Sequence, residues 1–276
     1  MAPKQMAVLI AALLLTPAVA CAQTRLDARY VVTLAGVTLG KGAWLVDIAD
    51  DHYTAAASGA TTGLLRVFAS GEGTSAVGGA VVNGRFAPGN YAATLTQDKD
   101  SDELRIALAG GNVKSYSIVP PPPPPTPDRI PITEASLRGV IDPMTASLIR
   151  VPGTADPVNP AACQRSAAIF DGRMRYELRL SYKRMERVKL DQSYEGPVVV
   201  CSVYFTPIAG YRPERAAIKY LAAHRDMEVW PAPIGSTRVL VPYRFVLPTP
   251  IGTGVMQATQ FSVGPQPRVT PTKLGQ

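Results

Sequence analysis

Between Arg173 and Lys183 the chain alternates without a break: Met174, Tyr176, Leu178, Leu180 and Tyr182 fall on one side, Arg173, Arg175, Glu177, Arg179, Ser181 and Lys183 on the other. A period of two belongs to a strand with one buried and one wet face, because successive side chains of an extended chain point in opposite directions. Wound as a helix, the same residues would spread charge around the whole circumference. Ile169-Phe170-Asp171-Gly172 precedes this stretch. Asp-Gly between apolar alternating segments marks a tight turn, since glycine tolerates the positive φ such a turn demands. The pattern predicts a hairpin from Ala168 to Lys183.

Weaker strands of the same kind are expected at Arg29 to Leu34, Ala43 to Ile48, Asn90 to Gln97, Glu103 to Leu108 and Val113 to Val119. Others follow at Val188 to Gln192, Val198 to Phe205, Met227 to Trp230, Arg238 to Leu247 and Val255 to Phe261. Short strands with Gly, Asp and Asn between them predict a mainly β chain, an antiparallel meander forming a curved sheet or half-closed barrel. One or two short helices are expected. Asp142 reads as an N-cap with Pro143 in the first helical position and Met144, Leu148 and Val151 on one stripe; Pro213 to Arg225 is the second candidate.

Pro120 to Pro125, followed by Thr126-Pro127, can neither pair as a central strand nor coil into a helix, and predicts an extended excursion. The flanking N-terminal half is rich in Ala and Gly and would bury a poor core alone. We therefore expect one β-rich domain over residues 23–264 with a surface excursion at 120–127, and a disordered tail at 265–276.

Residues 1–22 have the layout of a secretory leader: Lys4 near the start, an uncharged apolar run from Met6 to Pro17, and small residues around Cys21. The run is too short to span a bilayer, which takes about 20 apolar residues. Cleavage after Ala20, cleavage after Ala22 and acylation of Cys21 are all compatible with it; Ala22 fits best, and acylation would associate the protein with the outer membrane. The expected location is the periplasm. Cys163 and Cys201 then remain as an even pair in an oxidising compartment and are expected to join in a disulfide.

Loss of the leader removes Lys4 and no acid, taking the formal charge from +7 to +6. The surplus is dispersed along strand faces and leaves an anionic envelope surface as a partner to consider; in an exported protein nucleic acid is not expected. No transmembrane span is expected in the mature chain.

Motif by motif, no catalytic, cofactor or metal site is expected. Gly36-Val37-Thr38-Leu39-Gly40-Lys41-Gly42 lacks the spacing and the Ser or Thr of a phosphate loop and reads as a turn between the first two strands. Asp98 to Asp102 has the alternating carboxylates of a calcium loop, but Glu103 stands where Gly is required. Gly73 to Gly78 is one residue too long for a nucleophile elbow and reads as a small-residue loop. His52 and His224 read as surface residues. Tyr211, Trp230 and Tyr243 are the aromatic residues that could line a pocket for an apolar ligand or else pack the core.

Four segments together resemble a known group. Ala35-Gly36-Val37-x-Leu39-Gly40, Ile141-Asp142-Pro143-x-Thr145-Ala146, Phe170-Asp171-Gly172-Arg173-x-Arg175-Tyr176 and Pro207-Ile208-Ala209-Gly210-Tyr211 are similar to the exported proteobacterial proteins of domain-of-unknown-function family 3108. The resemblance spans Arg29 to Phe261. It implies an envelope location, a β-rich fold and no established activity; the Pro120 to Pro125 run departs from the family pattern. The expected function is non-enzymatic binding or carriage of a lipid or other apolar ligand. The alternatives are an adaptor in envelope assembly, using strand edges and the basic face of Arg173 to Lys183, and a hydrolase with Asp142, Asp171 or Glu177 clustered in one cleft.

Overall fold

The structure, a computed structural model, describes residues 24–62, 71–98, 100–190 and 193–265. The expected leader, residues 1–22, and residues 266–276 of the expected tail lie outside the described residues. Pro265, read as the tail's first residue, instead ends the last strand, paired with Thr24.

Seven strands come first: β1 (Thr24–Leu34), β2 (Val37–Ile48), β3 (His52–Thr61), β4 (Gly71–Val82), β5 (Arg85–Gln97), β6 (Asp100–Ala109) and β7 (Asn112–Val119). A long connection follows, holding α1 (Pro143–Ser147) and the two-residue β8 (Ile149–Arg150). Then come β9 (Ser166–Phe170), β10 (Arg175–Leu190), β11 (Tyr194–Ala209), α2 (Ala216–Ala223), β12 (Glu228–Pro233), β13 (Val239–Thr249) and β14 (Gly252–Pro265).

All fourteen strands belong to one sheet, ordered β7-β6-β5-β4-β3-β2-β1-β14-β13-β12-β11-β10-β9, with β8 joined to β13. Every ladder between neighbours is antiparallel, as expected of a meander. The described chain thus starts in the middle of the sheet, winds out to β7, crosses to β9 and winds back to lay β14 beside β1. No ladder joins the edges β7 and β9, so the sheet is not closed. The connection spans the gap instead. Val140 N–H donates to Gly111 O at 2.8 Å, Ile141 N–H to Ala168 O at 2.9 Å and Phe170 N–H to Ile141 O at 3.0 Å. Tyr116 on β7 meets Phe170 on β9 edge-on, their ring centroids 5.0 Å apart. Both strand edges are thereby partly satisfied, which blunts their tendency to pair with another chain.

Several expectations are corrected. Gly73 to Gly78 is part of β4, and Val37 to Gly42 is part of β2, so the first turn is confined to Ala35 and Gly36. Strands β3 and β4 go beyond the expected set: apart from Tyr53 and Val77 their inward positions are mostly small, as are their outward ones, and the alternation that betrays a strand is muted. The Ala168 to Lys183 hairpin forms, but β10 runs on through Val188 to Leu190. A register shift between Tyr182 and Arg184 turns the pattern over beyond this point, and Tyr182, the last residue of the expected apolar face, is 42% exposed instead of buried. Asp142 caps α1 as expected, accepting from Thr145 N–H at 2.9 Å. The helix ends at Ser147, because Ile149 and Arg150 are drawn into the ladder with Leu240 and Val239.

Two cores result. The larger lines the concave side and includes Leu26, Tyr53, Phe170, Val198, Tyr243 and Phe261. The second sits on the opposite face of β11 to β13, where the connection around Ile149, Val151 and Ala162 covers Val199, Cys201, Val203 and Leu240. With both faces covered, Val198, Val199, Val200 and Cys201 are all fully buried, so this stretch reads as a continuous apolar run. Cys163 and Cys201 form the expected disulfide inside the second core, with Cα atoms 5.4 Å apart. A disulfide fits an oxidising compartment such as the periplasm. Among the described residues no helix is long and apolar enough to cross a membrane.

Candidate functional site

Register places the inward side chains of the first strands in layers. The deepest runs Leu26, Val46, Ala55, Val77, Tyr91, Ile106 across β1 to β6. Next comes Ala28, Trp44, Ala57, Ser75, Ala93, Leu104. The third is Tyr30, Gly42, Gly59, Gly73, Leu95, three consecutive strands contributing no side chain at all. Side-chain volume falls from layer to layer, and the space left becomes a cavity of about 640 Å³. Tyr30, Trp44, Tyr91 and Leu95 wall it from the sheet, Met256 from β14, and Pro143 and Met144 of α1 close one side. Lys41, Glu72 and Gln97 are its charged and polar borders. A volume of this size with an apolar, aromatic wall and few polar groups suits a small apolar ligand.

The polar groups in the wall are mostly spoken for. Tyr30 O–H donates to Pro242 O at 2.8 Å, and burial holds its hydroxyl well above the usual tyrosine range. Burial, aided by the charges of Asp142 and Asp171, pushes Tyr91 up to about 12. These hydroxyls are neutral donors across the physiological range. The indole N–H of Trp44 is buried and makes no hydrogen bond.

The three carboxylates that could have formed a hydrolytic cluster have other duties and are absent from the described wall of this cavity. Asp142 caps α1, its second oxygen buried without a partner, and burial pushes its carboxyl upward. Asp171 clamps the β9–β10 turn by accepting from Arg173 and Met174 N–H at 2.8 and 2.6 Å, and burial likewise raises it. Glu177 accepts from Arg175 at 3.2 Å on a half-exposed face.

The aromatics singled out in the sequence lie elsewhere. Trp230 is sandwiched between the guanidinium groups of Arg184 and Arg244, 5.1 and 5.2 Å from its ring, and donates to Glu228 at 2.8 Å. Tyr243 is buried beside Tyr194 and Phe261. Tyr211 follows β11, where its carbonyl accepts from Ile130 N–H at 2.8 Å and ties down the end of the proline excursion. None of the three is among the described residues of the cavity wall. Tyr30, Trp44 and Tyr91 take that place. Each falls in or beside an anticipated strand, but only the register shows which side it faces.

The basic face of β10 is largely neutralised within the molecule. Arg173 pairs with Asp102 at 2.6 Å, Lys183 and Arg184 converge on Glu228 at 2.7 and 3.0 Å, and Arg179 stacks on Tyr204 at 4.1 Å. Partial burial would raise Glu228, but hydrogen bonds from Arg184, Lys183 and Trp230 outweigh it and hold the carboxyl at about 2.

No curated protein matches the chain. Among solved structures, a crystal structure described as a β-barrel-like protein of domain of unknown function DUF1849 from Brucella abortus is similar over 88% of this chain and 98% of that one, at 7% identity and a TM-score of 0.49. A family model described as a protein of unknown function, DUF3108, matches residues 29–259, nearly the span of the resemblance carried by the four sequence segments. The chain belongs to the DUF3108 family.

Proposed function

We propose that this is an exported cell-envelope protein that binds or carries a lipid or other apolar molecule in the cavity under the glycine row. The observation that supports the reading best is the row itself: Gly42, Gly59 and Gly73 are aligned across three strands on the concave side. An unfilled apolar space in a core costs stability, and a chain that places three glycines in register against one is shaped to hold something there. The leader-like N-terminus and the buried disulfide support an oxidising, extracytoplasmic location. The wall is mainly apolar and its buried tyrosine hydroxyls are neutral, which suits a mostly apolar molecule.

Solvent extraction and mass spectrometry of protein purified natively from an envelope fraction test the proposal. The expected result is one class of apolar molecule in near-stoichiometric amount. Protein that repeatedly emerges empty and binds no fluorescent fatty acid would overturn it.

A further inference from the structure

Helix α1 has a second cleft on its other side. Thr145 and Leu148 line it, together with the β4–β5 turn and the connection around Arg150 and Arg165, and it encloses about 830 Å³. Four arginines line it, Arg85, Arg150, Arg165 and Arg238, and its described wall contains no Asp or Glu. Among the described residues none of the four has an ion-pair partner.

Two of these side chains are held in place by neutral acceptors. Arg238 donates through Nε, Nη1 and Nη2 to the carbonyls of Val151, Ala155 and Pro152, at 2.8, 2.7 and 3.0 Å. Arg165 donates from Nη1 to Leu148 O at 3.2 Å. Carbonyls orient a guanidinium but do not neutralise it, and arginine does not shed its proton in a protein. Arg150 sits beside the β4–β5 turn, where the α-carbon of Gly84 comes so near that an added Cβ would lie 3.5 Å from its Nε. Ladder pairing of Arg150 with Val239 brings it next to Arg238 in the sheet. Four like charges in one cleft repel one another, a cost that a bound anion reverses.

We propose that this arginine-lined cleft binds a phosphate-bearing anion. A single carboxylate would answer one guanidinium fork, whereas a phosphate group offers several oxygens and up to two charges to arginines approaching from different elements. Burial lowers the proton affinity of the Arg165 guanidinium, consistent with its single neutral partner, the carbonyl of Leu148. The inference stands apart from the apolar cavity and does not depend on it.

The test is calorimetric titration of the full mature chain, disulfide intact, at low ionic strength. One arm uses inorganic phosphate; the other uses phosphatidylcholine vesicles with and without phosphatidylglycerol. The expected result is saturable binding in at least one arm, weakened about tenfold or more in Arg85→Gln/Arg150→Gln, a loss of about 1.4 kcal/mol per decade. Arg150→Lys, which keeps the charge and loses the fork, should fall between. Binding of phosphate alone assigns a free phosphorylated ligand, and binding of phosphatidylglycerol vesicles alone assigns a lipid headgroup. Should the double variant misfold, dicarbonyl labelling of the wild type followed by peptide mass spectrometry replaces it: the bound probe should protect Arg85 and Arg150. Absence of binding in both arms, unchanged affinity in the double variant, or unprotected arginines would overturn the proposal. Unaltered fatty-acid binding by the double variant would keep the two sites separate.

Discussion

The two arms of the sheet share one ladder and treat their interiors in opposite ways. From β11 to β13 the strands are packed on both faces, with Val198 to Cys201 wholly buried and a disulfide stapling the outer layer to β11. From β2 to β4 the inward positions end in Gly42, Gly59 and Gly73, and a cavity opens between Tyr30 of β1 and Leu95 of β5. The difference separates two uses of the same architecture: one arm contributes the stability, the other spends little on its own packing and keeps room for a ligand. Substitutions in the packed arm should therefore cost stability, and substitutions in the hollow arm should cost binding.

The largest effect is expected where the arms meet. Phe170→Ala removes a fully buried ring that bridges the open edge to Tyr116, and should destabilise the fold by about 3–5 kcal/mol in urea unfolding. A loss below about 1 kcal/mol would mean that the edges are not coupled through this contact. Replacing both cysteines with alanine should cost about 3–4 kcal/mol, the loop-closure value for a 38-residue separation, and should leave fatty-acid binding intact. Loss of binding in that variant would break the division of labour.

Glu228 sharpens the contrast through pH. Its carboxyl lies near 2 in the folded chain against an ordinary 4.5. A depressed acid stabilises the fold above its unfolded value, and that stability disappears as pH falls from about 4.5 toward 2. Glu228→Gln should therefore cost about 2–3 kcal/mol near neutral pH, with the gap to wild type closing as the pH approaches 2. A gap that stays constant with pH would assign its role to packing. The smallest effect on stability is expected at Gly59. A Cβ there meets only Lys41 O at 3.6 Å, an ordinary contact, so a large side chain should enter the cavity at a cost of about 1 kcal/mol or less in unfolding experiments.

The same contrast governs what could be read from the chain. Packed strands announce themselves: Arg173 to Lys183 alternates because one face is dry, and Val198 to Cys201 is uniformly apolar because both are. The tight turn at Asp171-Gly172, the cap at Asp142 and the cysteine pairing follow from local chemistry that needs no partner strand. Strands β3 and β4 are hidden because most positions of His52 to Thr61 and Gly71 to Val82 are Ala, Gly, Ser or Thr on both sides, which weakens the contrast in polarity that marks a strand. Gly73 to Gly78 thus resembled a loop. The cavity is an absence of side chains at registered positions, and it becomes visible only when Gly42, Gly59 and Gly73 are laid side by side. For the same reason Tyr30, Trp44 and Tyr91 could not be told from other aromatics, whereas Trp230 and Tyr243 stood out in sequence and pack elsewhere.

Titration of the wild type and of Gly59→Phe with a fluorescent fatty acid bears most directly on the hollow arm as a binding site. We predict saturable binding to the wild type and at least a tenfold weaker response from the variant, with both proteins unfolding at closely similar urea concentrations. Equal binding by a correctly folded Gly59→Phe protein, or none by the wild type, would contradict it.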